Sequence, residues 1–336
     1  MNILHILEDA QKIDNIDVLR SSIQTLKQNC ANYSVGNNVS QQYVLRQLDK
    51  IINSQTSERA QYYINQLKKA ITTIRTGKVN DINLNTWQEY DDVLTDSLWV
   101  INRRDNSGVH SAEYWGNFIP QIPNQLLKRY TKKGDWVIDT FLGCGTTLIE
   151  CQRLGRNGIG IELQESVAAK ARDLIQQEPN KHNVTLDVVQ GDSLAIDYNL
   201  LLEKHKVKNA QFLILHPPYH DIIKFSDDPR DLSNTKSVNA FLETFTSIVQ
   251  KAAAVLEKGR YFAIIIGDKY CGSEWIPLGF LTMNEMQKSG FLLKSIVVKN
   301  FEDTFGKRSQ KELWRYRALA GGYYVFKNEY MFIFRK

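Results

Sequence analysis

The chain has 336 residues, room for one large domain or two ordinary ones, with 43% apolar and 24% charged side chains. No apolar run approaches the roughly 20 residues that a membrane helix needs. The four cysteines, Cys30, Cys144, Cys151 and Cys271, form neither a CxxC pair nor a disulfide framework, so a cytoplasmic protein with no membrane partner is expected.

In chain order, the opening MNILHILEDAQKID predicts a helix carrying acidic residues and lacks the basic flank and long apolar stretch of a signal peptide. Helical spacing continues to about residue 80. Val18, Leu19, Ile23 and Leu26 share one face, as do Val44, Leu45, Leu48 and Ile52. A third stripe of Ala60, Ile64, Leu67, Ile71 and Ile74 starts near Ser57 and is expected to stop at Gly77, a good C′ residue. Residues 78–112 are polar and irregular, with Trp87 and Trp99, and predict a connector. Residues 1–110 carry 12 basic and 12 acidic side chains, so the net charge of +5 lies elsewhere.

From about residue 115 short β-branched runs alternate with amphipathic stretches. The runs are DWVIDTF, GIGIEL, VTLDVVQ, QFLILH, YFAIIIGD, FLLKSIVVKN and YYVFKNEYMFIF, and the helical stretches include Leu148–Leu154, Ser166–Gln177 and Asn239–Glu257. This alternation predicts an α/β domain, a doubly wound, mostly parallel sheet with helices on both faces. The last two runs are joined by a long loop without a clear helix, so an antiparallel hairpin at the sheet edge is expected. Residues 294–336 hold ten basic side chains against four acidic ones, a local surface suited to phosphates, or a solvated face.

The first chemical motif is Asp139-Thr140-Phe141-Leu142-Gly143-Cys144-Gly145-Thr146-Thr147, after the strand Trp136–Ile138 and before a helix. Its glycines let the backbone approach a nucleotide-like ligand closely. The helix N-terminus offers free N–H donors and a positive dipole end to a carboxylate. Glu162, ending the next strand, suits the two hydroxyls of a ribose, and Asp192, after the strand Val184–Val189, suits the amine of an adenine ring. A lone GxG turn is weak evidence; the acidic residue at the next strand end strengthens it.

The second motif is Leu213-Ile-Leu-His216-Pro217-Pro218-Tyr219. Two consecutive prolines have no N–H to donate and freeze a turn at the carboxyl edge of the sheet, where α/β proteins place ligands. Alone, such a turn is also an ordinary strand terminator. A base amine is a poor nucleophile because its lone pair is delocalised into the ring, and two acceptors for its hydrogens favour the reactive, pyramidal form. The Pro217 carbonyl and the side chain of His216 are placed to be those acceptors, and Tyr219 to stack on an extruded base. His216, His220 and Asp221 lack the spacing of a metal site, and no metal is expected.

Together Gly134–Thr147, Gly155–Glu162 and His216–Tyr219 resemble the amino-methylating DNA methyltransferases of bacterial and phage modification systems, which make N6-methyladenine or N4-methylcytosine. The resemblance covers roughly residues 115–336. It implies a Rossmann-like methyltransferase domain over 111–336, S-adenosylmethionine as cofactor, and direct transfer to a flipped base of double-stranded DNA. Phe118, Asp139, Gly143, Gly145, Thr146, Glu162 and Asp192 would line the cofactor pocket, with Phe141 and Thr147 of the same motif. His216, Pro217, Pro218 and Tyr219 would hold the target base. A cognate restriction enzyme is a candidate partner; RNA as substrate, or a non-catalytic partner subunit, are the alternatives.

Two departures stand out. The family usually has Asp, Asn or Ser where this chain has His216; a neutral imidazole offers one acceptor nitrogen and a protonated one offers none, so activity is expected to fall as pH drops through its pKa. Too little chain separates Asp192 from His216 for a target-recognition insert. That task is expected of residues 1–110, of the loop Asp221–Lys236, or of the loop Phe301–Gly322. The last carries Lys307, Arg308, Lys311, Trp314, Arg315, Tyr316 and Arg317, a nucleic-acid-binding candidate, or else a plain edge connector.

Overall fold

The structure is a computed structural model that describes residues 3–35, 38–110, 116–300 and 311–336. The chain divides into two units between Val93 and Leu94.

The first unit is built on helices α1 (Ile3–Ala10), α2 (Ile16–Gln28), α3 (Gln41–Ile52) and α4 (Ser57–Thr72). Three of them begin at side-chain caps: Asn15 accepts from the Asp17 N–H, Ser40 from that of Tyr43 and Thr56 from that of Arg59. Their apolar stripes meet in one core around Leu7, Leu19, Ile23, Val44, Leu48, Ile51, Ile64 and Leu67. The sequence pattern misplaces two residues. Val18 is 55% exposed, and Ile74 lies beyond the end of α4, 62% exposed. Helix α4 stops at Thr72 rather than Gly77 because Asn83 and Asn85 side chains take the Arg75 N–H and the Thr73 carbonyl, and two adjacent β-branched threonines hold the helix weakly.

The second unit carries an eight-stranded sheet. Its elements are β1 (Leu98–Trp99), α5 (Gln121–Tyr130), β2 (Trp136–Asp139), α6 (Thr146–Leu154), β3 (Asn157–Glu162), α7 (Glu165–Gln177), β4 (Leu186–Gln190), α8 (Tyr198–Lys204), β5 (Ala210–Leu215), α9 (Val238–Ala254), β6 (Leu256–Ile266), β7 (Lys269–Cys271), β8 (Glu274–Ile276), α10 (Leu278–Lys288), β9 (Leu292–Asn300), α11 (Lys311–Gly321) and β10 (Asn328–Arg335). The order is β1-β9-β10-β6-β5-β2-β3-β4. Strands β4, β3, β2, β5 and β6 run parallel, and β10 lies antiparallel between β6 and β9. Strands β7 and β8 form a separate small hairpin.

Successive residues of the central strands enter different cores. Ile138, Leu213, Leu215, Phe262 and Ile264 pack with Phe241, Phe245 and Ile248 of α9. Val137, Phe212, Ile214, Ala263 and Ile265 pack with Ile122, Leu126 and Leu127 of α5. With a period of two, both faces of the sheet are covered, as a doubly wound fold requires.

Two details correct the sequence pattern. The unit starts at Leu94, ahead of the expected boundary at 110, because Leu98 and Trp99 pair in parallel with β9 and Trp99 is buried. Strands β9 and β10 form the expected antiparallel pair at this end of the sheet, with the two-residue β1 flanking β9. The stretch expected as a loop contains α11: Glu312 favours its first turn, Leu and Ala extend it, and Gly322 takes a positive φ just beyond it. Among the described residues no helix is long and apolar enough to cross a membrane.

Candidate active site

Chain order reverses between β2 and β5: β3 and β4 lie to one side of β2, and β5 and β6 to the other. Such a switch point leaves a crevice beyond the carboxyl ends of the two strands. Asp139 and Ile214 are register partners there, so both sequence motifs leave the sheet side by side.

The Gly-rich turn is held by its own residues. The Phe141 N–H donates to Asp139 Oδ1 at 2.9 Å. The Gly143 and Gln164 N–H groups donate to the two oxygens of Glu162, each at 2.9 Å. Glu162 thus ties the turn after β2 to the turn after β3, and burial pushes its carboxyl above the usual range against those two bonds. Gly143 and Gly145 both have positive φ, and Gly145 brings no side chain to cap α6, which leaves first-turn N–H groups without an intrahelical acceptor. Close approach also explains two glycines of β3. A Cβ on Gly160 would meet Leu142 Cδ1 at 2.5 Å, and one on Gly158 would meet Leu148 Cδ2 at 2.3 Å.

Asp139 is fully buried, and desolvation lifts its pKa to about 6 despite the Phe141 N–H and the nearby Thr147 hydroxyl. Its Oδ2 and the Thr147 Oγ1 make no hydrogen bond of normal geometry. Unsatisfied buried polar atoms beside an uncapped helix start are what a polar ligand would complete. Thr146 is buried at the start of α6, and Phe141 is partly buried, with its ring 6.0 Å from Phe245. Asp192, half-buried after β4, accepts from the Leu194 N–H at 2.8 Å.

Beyond β5 the Phe118 and His216 rings lie 4.9 Å apart, so the segment upstream of α5 reaches the second motif. Pro217 is buried, and Pro218 and Tyr219 are half-buried. His216 Nε2 lies 3.1 Å from the Tyr219 hydroxyl, which donates to Glu329 Oε2 at 3.0 Å. Glu329 pairs with Lys299 at 3.0 Å, both 4% exposed. Burial holds the imidazole down to about pKa 4, with Glu329 opposing and Lys299 assisting. Burial, with Glu329 beside it, pushes the Tyr219 phenol well above its ordinary value.

Glu329 and Lys299 were missed in the sequence. They are cross-strand partners on β10 and β9. The available signal was phase: Glu329 alternates with the buried Met331 and Ile333, and Lys299 with Val297. Gly267 also touches the site, since a Cβ there would meet the Tyr219 ring at 2.9 Å. Its neighbour Asp268 instead accepts from the Gly279 N–H and the Trp275 indole and braces the β7–β8 hairpin.

His220, set aside as a metal ligand, contacts Lys269 through Nδ1 at 3.0 Å and the Thr235 carbonyl through Nε2 at 3.0 Å. The loop Asp221–Lys236 is built on buried Asp231, which accepts from Ser226 and from the Ser233 N–H. Of the basic candidates, Lys307 and Arg308 lie outside the described residues, and the side chain of Lys311 is not described. Arg315 and Arg317 are exposed on α11, with Arg317 over the Trp314 ring at 5.3 Å. Two positions apart on a helix, these arginines point to different sides, so the linear basic run is split.

The model of a DNA methylase family, N6_N4_Mtase, matches residues 10–173. That range takes in the Gly-rich turn and Glu162 and stops short of His216. The type II methyltransferase M.MjaII of Methanocaldococcus jannaschii is 33% identical over 113 residues, 30% of this chain and 21% of that protein. M.MthZI of Methanothermobacter thermautotrophicus is 35% identical over 99 residues, 28% of this chain and 26% of that protein. M2.DpnII of Streptococcus pneumoniae is 33% identical over 113 residues, 32% of this chain and 42% of that protein. The matches span less than half the length of each of these relatives. The two motifs leave neighbouring parallel strands at the switch point of a doubly wound sheet, where such folds bind ligands. Over the matched parts the chain is similar to DNA methylases of the N6_N4_Mtase family and to type II methyltransferases.

Proposed function

We propose that the second unit transfers a methyl group from S-adenosylmethionine to the exocyclic amine of adenine (N6) or cytosine (N4) in double-stranded DNA. The observation that carries this reading is the emergence of the Gly-rich turn and of His216–Tyr219 side by side from neighbouring parallel strands at the switch point of the sheet. The cofactor supplies an electrophilic methyl group on a positively charged sulfonium.

The residues present fit such a cofactor. The turn through Gly143 and Gly145 leads to Thr146 and Thr147, which offer backbone N–H groups and a hydroxyl at a helix start, suited to a carboxylate. Buried Asp139, with an unsatisfied oxygen, suits a cationic amine. Glu162 keeps lone pairs for ribose hydroxyls after accepting one N–H on each oxygen. Asp192 suits the adenine amine, and Phe118 and Phe141 supply apolar walls.

On the target side the Pro217 carbonyl and His216 accept the two amine hydrogens. Duplex bases are out of reach of such a site unless extruded, so the base flips into the crevice, with the Tyr219 ring as a wall. Rate enhancement then comes from positioning, without a covalent intermediate. Lys307, Arg308, Lys311, Arg315 and Arg317 are proposed to meet the phosphate backbone. A cognate restriction enzyme is the proposed companion.

The test is to express the chain with plasmid DNA, digest the DNA to nucleosides and weigh them. N6-methyladenine or N4-methylcytosine is expected. Appearance of neither, from protein that binds S-adenosylmethionine in calorimetry, overturns the reading.

A further inference from the structure

We infer that the buried pair Glu329–Lys299 acts through the Tyr219 hydroxyl to fix which nitrogen of His216 carries the proton, and so to present Nδ1 as the acceptor for the amine. This rests on the proposed methyl transfer.

The argument is one of counting protons along a chain. The Tyr219 hydroxyl has a single hydrogen, and that hydrogen is donated to Glu329 Oε2 at 3.0 Å. The contact from His216 Nε2 to the same hydroxyl oxygen, at 3.1 Å, is therefore a bond only if Nε2 bears a hydrogen and donates it. A neutral imidazole has one N–H, which leaves Nδ1 with its lone pair free to accept. Reversal of the chain would need Glu329 to release the phenol, and Lys299 Nζ, 3.0 Å from Oε1, holds that carboxylate in its charged, accepting state.

The elements around the ring each contribute. Phe118 covers it with an apolar face. Tyr219 follows on the same turn, and β9 and β10 bring Lys299 and Glu329. Asp, Asn and Ser offer an acceptor oxygen without choosing a tautomer. Histidine has to choose, and a donor at the reacting position would repel the amine hydrogens. Glu329 and Lys299 are positioning residues, because they reach the reacting atoms only through Tyr219 and His216.

The experiment labels the histidines with nitrogen-15 and reads the imidazole shifts by long-range proton–nitrogen correlation, with His216 identified by its loss in His216→Asn. In the unaltered chain His216 is expected as the Nε2–H tautomer at neutral pH. The double variant Lys299→Met with Glu329→Met removes the charged acceptor without stranding a buried charge. The phenol is then free to donate to Nε2, and His216 is expected to shift toward Nδ1–H. The other histidine resonances, unmoved, show that the fold is intact. With the shift, kcat for base methylation should fall by between about ten- and a hundredfold while cofactor affinity is unchanged.

An Nδ1–H tautomer in the unaltered chain, or a double variant that keeps both the tautomer and kcat, overturns the inference. If the unaltered chain methylates no base, the functional reading fails. The tautomer measurement still decides the relay, because it needs no turnover.

Discussion

At the scale of single residues, His216 is a position where this chain departs from the pattern of the family it resembles, and its surroundings change what that departure means. An exposed histidine would lose its acceptor near pH 6.5. Burial holds this ring to about 4, so with saturating cofactor kcat should stay level as pH falls past 6.5 and decline only toward 4. A pH–rate profile with its midpoint near 6.5 would contradict that. The same shift acts on stability: below 6.5 the unfolded chain takes up the proton and the folded ring does not, so the stability due to this group is lost as pH falls from 6.5 through about 4. Asp139 shifts the opposite way, to about 6. Cofactor affinity measured by calorimetry should weaken as pH drops through about 6, because a protonated Asp139 no longer attracts a cation, and Asp139→Asn should flatten that dependence. Replacing Gly160 with Ala pushes a Cβ into Leu142 of the Gly-rich turn. Thermal or denaturant unfolding should show a loss of about 1–3 kcal/mol, together with weaker cofactor binding.

At the scale of elements, α11 and the helix caps carry separate expectations. Arg315 and Arg317 are exposed on α11, so Arg315→Ala with Arg317→Ala should weaken DNA binding about equally for all sequences and shallow its salt dependence. An effect confined to one recognition sequence would place base reading, rather than phosphate contact, on this helix. Thr56 caps α4 through the Arg59 N–H, and Thr56→Ala should lower the stability of the first unit by about 1 kcal/mol, read from its unfolding midpoint. The antiparallel strand β10 matters for a different reason. By inserting between β6 and β9 it carries Glu329 to the Tyr219 hydroxyl, and so joins the last strand of the chain to the site at the switch point.

At the scale of the whole molecule, the two units have separate cores. The helical unit closes over Leu7, Leu19, Leu48 and Ile64 without borrowing from the sheet. Residues 1–93 expressed alone should therefore be helical and unfold cooperatively by circular dichroism; a gradual, non-cooperative melt would contradict an independent core.

Local patterns were enough to reveal the alternation of strands and helices, the Gly-rich turn with Glu162, and the Pro-Pro-Tyr turn. Each depends on periodicity or on backbone geometry that a few neighbouring residues dictate. The same reasoning stretched α4 past Thr72 and missed α11, because helix ends are settled by hydrogen bonds from elsewhere, such as those of Asn83 and Asn85. The site divides in the same way. The turns of its proposed cofactor half lie mostly within β2–α6–β3, with Phe118 and Asp192 outside that stretch, and are legible along the chain. The groups that control His216 lie on β9 and β10, more than eighty positions downstream. Only strand pairing brings them together, because a charge on a strand can be assigned to a partner once the sheet order is known.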